Sequence, residues 1–313
     1  MISKIKLKNL PDMKYLVFTI IFLLNVGALT AQQLPIYAQN QDGNYFTNAA
    51  MLSEDFRKND LPTALSVSYR HQWVKLDDAP RTIMANFSHF NEDYNVFFGG
   101  GLIQDQTGPT SFTGVSMSAG YAVDLTRDWQ LSMALSAGVS QYRIKAAELD
   151  FLEEGDIAQA NQSKVAPDLG MSATIYYDKK YFVGVSVPQI LGFNLDYSAD
   201  NNDFELKRIR HYYANGGALF EVDDSWLEAS AFARFIPSIP VNYGAHVRYE
   251  HENIFWVGVG GSSAKSGTME GGLVFDIGSG YTKARIGYAF TNFFASYSPN
   301  FGTVHDIKVS FAW

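Results

Sequence analysis

The sequence predicts an all-β protein, a transmembrane antiparallel β-barrel of about fourteen strands. Three observations predict it: an export signal opens the chain, polar and apolar residues alternate over many segments behind it, and no run of 18 apolar residues follows that signal. Dispersed alternation without a spanning helix is the pattern of strands with lipid on one face and water on the other.

Lys4, Lys6, Lys8 and Lys14 give a basic start, and residues 15–28 (YLVFTIIFLLNVGA) form an apolar run of signal length, too short to span a bilayer. Small residues follow, so cleavage is expected after Ala31, with Gln32 as the mature N-terminus. Met13-Lys14 is itself a well-formed signal start, which makes Met13 an alternative initiation site. Residues 1–31 are therefore read as signal peptide. Residues 32–60 are polar without a clear period and are expected to lie in the periplasm or the lumen; 61–313 are read as the barrel.

The alternation is clearest in 64–73, where Leu65, Val67, Tyr69 and Trp73 oppose Ser66, Ser68, Arg70 and Gln72, and in 115–125. Further strands are expected at 81–90, 95–104, 129–144, 167–178, 181–187, 211–222, 226–235, 241–250, 254–263, 267–276, 281–291 and 304–313. The last is the closing strand: Ile307, Val309, Phe311 and Trp313 fall on one face at period 2 and Asp306, Lys308 and Ser310 on the other. An even count suits a single-chain bacterial barrel.

Short polar turns (91–94, 126–128, 178–180, 223–225, 250–253, 277–280) come after every second strand, while the intervening connections vary and two are long, 145–166 and 188–210. In outer-membrane barrels the short turns are periplasmic and the long loops extracellular, so both termini are expected in the periplasm.

The chain has no cysteine, which excludes a lipoprotein anchor, disulfides and thiolate metal sites. Its net charge of −8 becomes −11 without residues 1–31, which carry four lysines and one aspartate; an acidic chain is a poor partner for nucleic acid. Its six histidines show no zinc-ligand spacing, and no nucleophile elbow or phosphate loop occurs. Asp77-Asp78 near His71 is the one local hint of a barrel hydrolase, and a solvated loop accounts for it. No enzyme activity and no cofactor or metal is expected. Glu148, Asp150, Glu153, Glu154 and Asp156 make one long loop acidic; they lack a calcium-ligand spacing and are candidates for partner contact. Charged residues on the inner faces, among them Arg70, Asp124, Asp168, Arg248, Glu270, Asp276 and Arg285, suit either an open pore or a lumen knitted by ion pairs.

Several segments together resemble the PorP/SprF family of type IX secretion system membrane proteins of the Bacteroidota. Tyr69-Arg70-His71-Gln72-Trp73 with Ala79-Pro80-Arg81-Thr82 is similar to its Arg-x-Gln-Trp and Ala-Pro-x-Thr pattern. Gly99-Gly100-Gly101 with Asp105 and Gly108, His211-Tyr212-Tyr213, Phe255-Trp256-Val257-Gly258, Gly287-Tyr288 and Gly302-Thr303-Val304-His305-Asp306-Ile307 follow in the family's order across 33–313. Asn48-Ala49-Ala50 stands where the family usually has Asn-Pro-Ala, Asp306 where Glu is usual, and Ala289-Phe290 where Asp-Tyr or Asp-Ser is common.

The resemblance implies an outer-membrane barrel serving the secretion or surface attachment of large proteins with a C-terminal sorting domain, gliding adhesins included. It implies contact with other type IX components and with outer-membrane lipid. The motif residues also have a structural reading: Trp73 suits an aromatic girdle and Pro80 a loop entering a strand. A porin or a fatty-acid-type transporter is the alternative function.

Overall fold

The computed structural model describes residues 47–145, 162–191, 194–199, 202–207, 209–237, 239–278, 282–295 and 301–313. The description concerns the unit Pro35–Trp313.

Fourteen strands close into an antiparallel barrel. In chain order they are β1 (Thr63–Gln72), β2 (Arg81–Asn91), β3 (Val96–Thr107), β4 (Thr110–Asp124), β5 (Trp129–Ile144), β6 (Gln162–Tyr177) and β7 (Tyr181–Val187), followed, after an interposed hairpin, by β10 (Tyr212–Val222), β11 (Ser225–Ile236), β12 (Ile239–His251), β13 (Phe255–Ser262), β14 (Ser266–Ile277), β15 (Thr282–Phe293) and β16 (Val304–Ala312). The hairpin is β8 (Asn194–Ala199) with β9 (Asn202–Lys207), a two-stranded sheet of its own between β7 and β10. No helix among the described residues is long and apolar enough to cross a membrane.

The fourteen expected barrel strands are the fourteen observed, with three corrections. β4 begins at Thr110 and β6 at Gln162, both earlier than the alternation indicates, so the first long connection is 145–161. The second, read as a loop, carries the β8–β9 hairpin. The added rungs pair Thr110 with Ile144, Thr113 with Gln141 and Tyr142 with Lys164, residues of mixed polarity. Where a strand runs on past the hydrocarbon layer both faces can be wet, and no alternation marks it.

Connections at one end are short: 92–95, 125–128, 178–180, 223–224, 252–254 and 278–281. The other end carries 145–161 and 188–211, together with 73–80 and 294–303. Both ends of the described barrel chain lie with the short turns, where Thr63 and Trp313 exchange backbone hydrogen bonds of 2.9 Å in each direction.

The outer wall is apolar. Val67, Val115, Met117, Leu135, Val183, Val259, Met269 and Ile307 are exposed, Met117 to 76%. Such a surface suits lipid and would be an aggregation hazard in water. Aromatic rings flank this band. Trp129, Tyr177, Tyr181 and Phe220 follow one another at 5.1, 6.1 and 6.0 Å near the short turns, and Tyr212 meets Phe235 at 5.9 Å near the long loops.

Among the described residues one short helix precedes the barrel: α1 (Glu54–Asn59), within the segment read as polar and without period. The Ser53 hydroxyl accepts from the Phe56 N–H at 3.1 Å, acids occupy the first turn and bases the last, and Asp60 closes it at φ 52°. Each of these features favours a helix, but six residues are too few to show a period.

Candidate functional site in the barrel lumen

α1 carries four charges in the run Glu54-Asp55-Phe56-Arg57-Lys58, and the barrel wall answers each with its opposite. Glu54 Oε2 takes Arg248 Nη1 at 2.8 Å, and Asp55 Oδ1 takes Arg285 Nη2 at 2.8 Å. Arg57 Nη2 reaches Glu228 Oε1 at 3.2 Å, and Lys58 Nζ reaches Glu250 Oε2 at 3.0 Å. Lys58 also pairs with Glu54 along the helix. The wall partners are joined among themselves, Arg285 to Glu250 at 2.7 Å and Arg248 to Glu270 at 2.7 Å. Charges buried to this degree are tolerated only when paired and hydrogen-bonded. Burial by itself raises the Glu54 carboxyl, but Lys58, Arg248 and Arg285 outweigh it and hold the group well below the usual carboxylate range.

The opposite face of the segment is apolar. Ala50, Met51, Leu52 and Phe56 pack with Phe90, Phe97, Ala122, Ala134, Tyr176 and Phe182 from β2 to β7. Phe56 meets Phe90 edge-on at 4.9 Å, and the Arg57 guanidinium lies 4.8 Å from the Phe182 ring. The Tyr176 hydroxyl accepts from the Leu52 N–H at 2.8 Å. Asn48 is the latch: its amide donates to Thr174 Oγ1 and Asn215 Oδ1, each at 3.0 Å, and its oxygen accepts from Ala50 N–H at 3.1 Å. Nearly all these wall residues sit close to the short turns, so 48–58 lies in the lumen at that end, anchored to strands on opposite sides of the barrel.

Near the long loops, four separated motif segments meet in one row on the inner wall. Asp306, Arg70, Thr82 and Asp105 are successive cross-strand partners on β16, β1, β2 and β3. Arg70 Nη1 pairs with Asp306 Oδ2 at 3.2 Å, and the Thr82 hydroxyl donates to Asp105 at 2.5 Å. Gln72 is buried beside them, and its N–H donates to the Pro80 carbonyl at 2.9 Å, closing the β1–β2 connection.

The other motif residues are dispersed. Trp73 lies past the end of β1 in the left-handed region (φ 59°), its ring 5.4 Å from Phe301 in the β15–β16 connection. It is half-buried against that loop, and its backbone leaves the regular alternation of β1. Tyr69 faces outward, with the His71 ring 6.5 Å away. His305 also faces outward, between the Tyr288 hydroxyl and the Thr303 hydroxyl, the latter at 3.0 Å. His211 meets the Tyr213 hydroxyl at 3.4 Å at the start of β10.

Trp256 points inward and is 5% exposed. Its ring lies so close over Gly272 and Gly287 that a Cβ there would come within 2.1 and 2.4 Å of it, which explains glycine at both positions and ties Phe-Trp-x-Gly to Gly-Tyr.

On the closing strand, Ile307, Val309 and Phe311 face outward opposite Tyr69, Val67 and Leu65 of β1, so apolar pairs seal the barrel where its first and last strands meet. Trp313 lies just past β16 and is held there by its backbone bonds to Thr63. Glu148, Asp150, Glu153, Glu154 and Asp156, together with the signal segment, lie outside the described residues. Among the described residues no group of three or more His, Asp or Glu is placed to hold a metal ion.

Of the inner charges named from the sequence, Arg248, Glu270 and Arg285 pair at the short-turn end, while Asp276 meets Lys283 at 2.9 Å and Asp124 accepts from the Gln130 amide at 3.0 Å, both carboxylates exposed. Sequence reading missed Asn48 as an anchor and the charges of α1 with Glu228 and Glu250. A Ser followed by two acids and two bases is a helix signal that could have found α1, and charged residues on inner strand faces could have supplied its partners.

A family model described as type IX secretion system membrane protein PorP/SprF matches residues 30–311. No curated protein matches the chain. Among solved structures, a FadL homologue of Pseudomonas aeruginosa aligns at TM-score 0.53 and 9% identity, over 87% of this chain and 93% of that one. The toluene transporter TodX of Pseudomonas putida gives 0.46 at 9% identity over 80% and 88%, and the outer-membrane protein Omp33 of Acinetobacter baumannii 0.45 at 9% over 81% and 97%. At such identities the likeness concerns the fold alone, and the first of these supports a barrel.

Proposed function

Because the chain belongs to the PorP/SprF family of type IX secretion system membrane proteins and is an outer-membrane β-barrel, we propose that it serves the secretion or surface attachment of large exported proteins carrying a C-terminal sorting domain, gliding adhesins among them. It acts through protein contacts, without catalysis. The short turns and the segment before β1 face the periplasm and the other type IX components, and the long loops 145–161 and 188–211 face outward and meet the exported partner.

The observation that carries this reading is the segment docked in the lumen. Segment 48–58 is latched by Asn48, packed through Phe56 and paired to the wall by four charges, which leaves a free diffusion path without support. The test is single-channel recording in planar bilayers on purified protein. The proposal expects no steady conductance from the intact chain, and open-channel steps of porin size would favour the channel function instead.

A further inference from the structure

The ring ladder near the short turns ends at a cleft of about 440 Å³ between the β6–β7 and β10–β11 turns, lined by Lys180, Tyr181, Leu219, Phe220, Glu221 and Asp223. Its walls are fixed by pairing. Tyr181 is the cross-strand partner of Ala218, Leu219 N–H donates to the Lys180 carbonyl at 2.9 Å, and Tyr181 meets Phe220 edge-on at 6.0 Å and 84°. Both turns are tight, with Asp178, Lys179 and Asp223 at positive φ.

The cleft is amphipathic in a particular way. Tyr181 and Phe220 are exposed on the lipid-facing wall at girdle depth, where the hydrocarbon gives way to headgroups. One ammonium and two carboxylates line the same cleft, yet among the described residues no ion pair joins Lys180 to Glu221 or Asp223. Lys180 lies 3.9 Å from Asp178 instead, with both side chains substantially exposed. Opposite charges held apart around one cavity suit a ligand that carries both signs, and adjacent aromatic rings suit one with an acyl stem.

We propose that this cleft binds the headgroup of a zwitterionic phospholipid of the phosphatidylethanolamine type, with Lys180 taking the phosphate, Glu221 and Asp223 the ammonium, and Tyr181 and Phe220 the glycerol and upper acyl region. The site fixes the barrel's depth and rotation at the short-turn interface. It depends on the outer-membrane placement and not on the role in secretion, so each can fail without the other.

The test is native mass spectrometry of the full-length barrel released from nanodiscs of equimolar phosphatidylethanolamine and phosphatidylglycerol. Wild type is expected to retain phosphatidylethanolamine at least fivefold over phosphatidylglycerol. Glu221→Gln with Asp223→Asn should abolish that preference, and Lys180→Ala should lower retention of both lipids; a heat-shifted electrophoretic band confirms that each variant is folded. Equal retention by wild type, or an unchanged preference in the double variant, would overturn the proposal. So would preferred retention of a phosphorylated glycolipid in a second nanodisc set, because it would replace the zwitterion by an anion.

Discussion

Arg57 of the lumenal helix meets Glu228 of β11 at 3.2 Å, with the two side chains 0% and 2% exposed. Removing one partner of so buried a pair strands the other charge, at a cost of about 3–5 kcal/mol. Arg57→Ala should therefore lower the temperature at which the compact, unboiled band gives way in semi-native electrophoresis, and Arg57→Glu combined with Glu228→Arg should recover part of the loss. An Arg57→Ala protein that melts with wild type would show that the helix is not docked.

The same helix makes the barrel acid-sensitive. Glu54 is held well below its ordinary value, so it stabilises the folded form above the unfolded pKa, about 4.3, and that contribution is lost as pH falls toward the folded value. Melting temperature should be nearly flat from about pH 8 to pH 5 and drop below about pH 4. Glu54→Gln should melt lower at neutral pH and show a shallower acid limb; an unchanged pH profile would remove Glu54 from the account.

Closure of the wall rests on apolar pairs between Leu65 and Phe311 and between Val67 and Val309. Phe311→Ser with Trp313→Ser should reduce assembled protein in the outer membrane several-fold, while Lys308→Ser, whose side chain points inward, should leave most of it. Equal assembly of the two variants would contradict the assignment of faces.

Trp256 gives a test of the inner wall. Gly272→Val drives two methyl groups into the indole and should impair assembly, whereas Trp256→Phe, which vacates that space, should assemble nearly as well as wild type. Heat-modifiable band intensity reads both, and a normal Gly272→Val barrel would refute the close approach.

The sequence showed the barrel because lipid enforces period 2 along every spanning strand. It did not show what fills the lumen. The inner faces of β11, β12 and β15 offer Glu228, Arg248, Glu250 and Arg285, and whether such charges line water or pair across a lumen depends on α1, whose six residues leave no periodic trace. The Asp306–Arg70–Thr82–Asp105 row was legible as four motifs. Their meeting was not, because cross-strand register is set by the whole hairpin series. Trp73 leaves the alternation for a local reason, a positive φ at the strand end.

The acidic connection between β5 and β6 separates attachment from folding. Replacing 146–161 by a short Gly/Ser linker leaves every rung of the β5–β6 pairing in place. Normal heat modifiability with loss of partner attachment is the expected outcome, and full attachment would move the contact to another loop.

The most direct measurement is surface display of large type IX substrates in cells lacking this protein, read by surface proteolysis and by the proteins found in the medium. The account predicts that one or a few large substrates with C-terminal sorting domains disappear from the surface while viability and bulk secretion persist. Loss of every such substrate would assign a core secretion role in place of a dedicated partner, and unchanged secretion and attachment would contradict the account altogether.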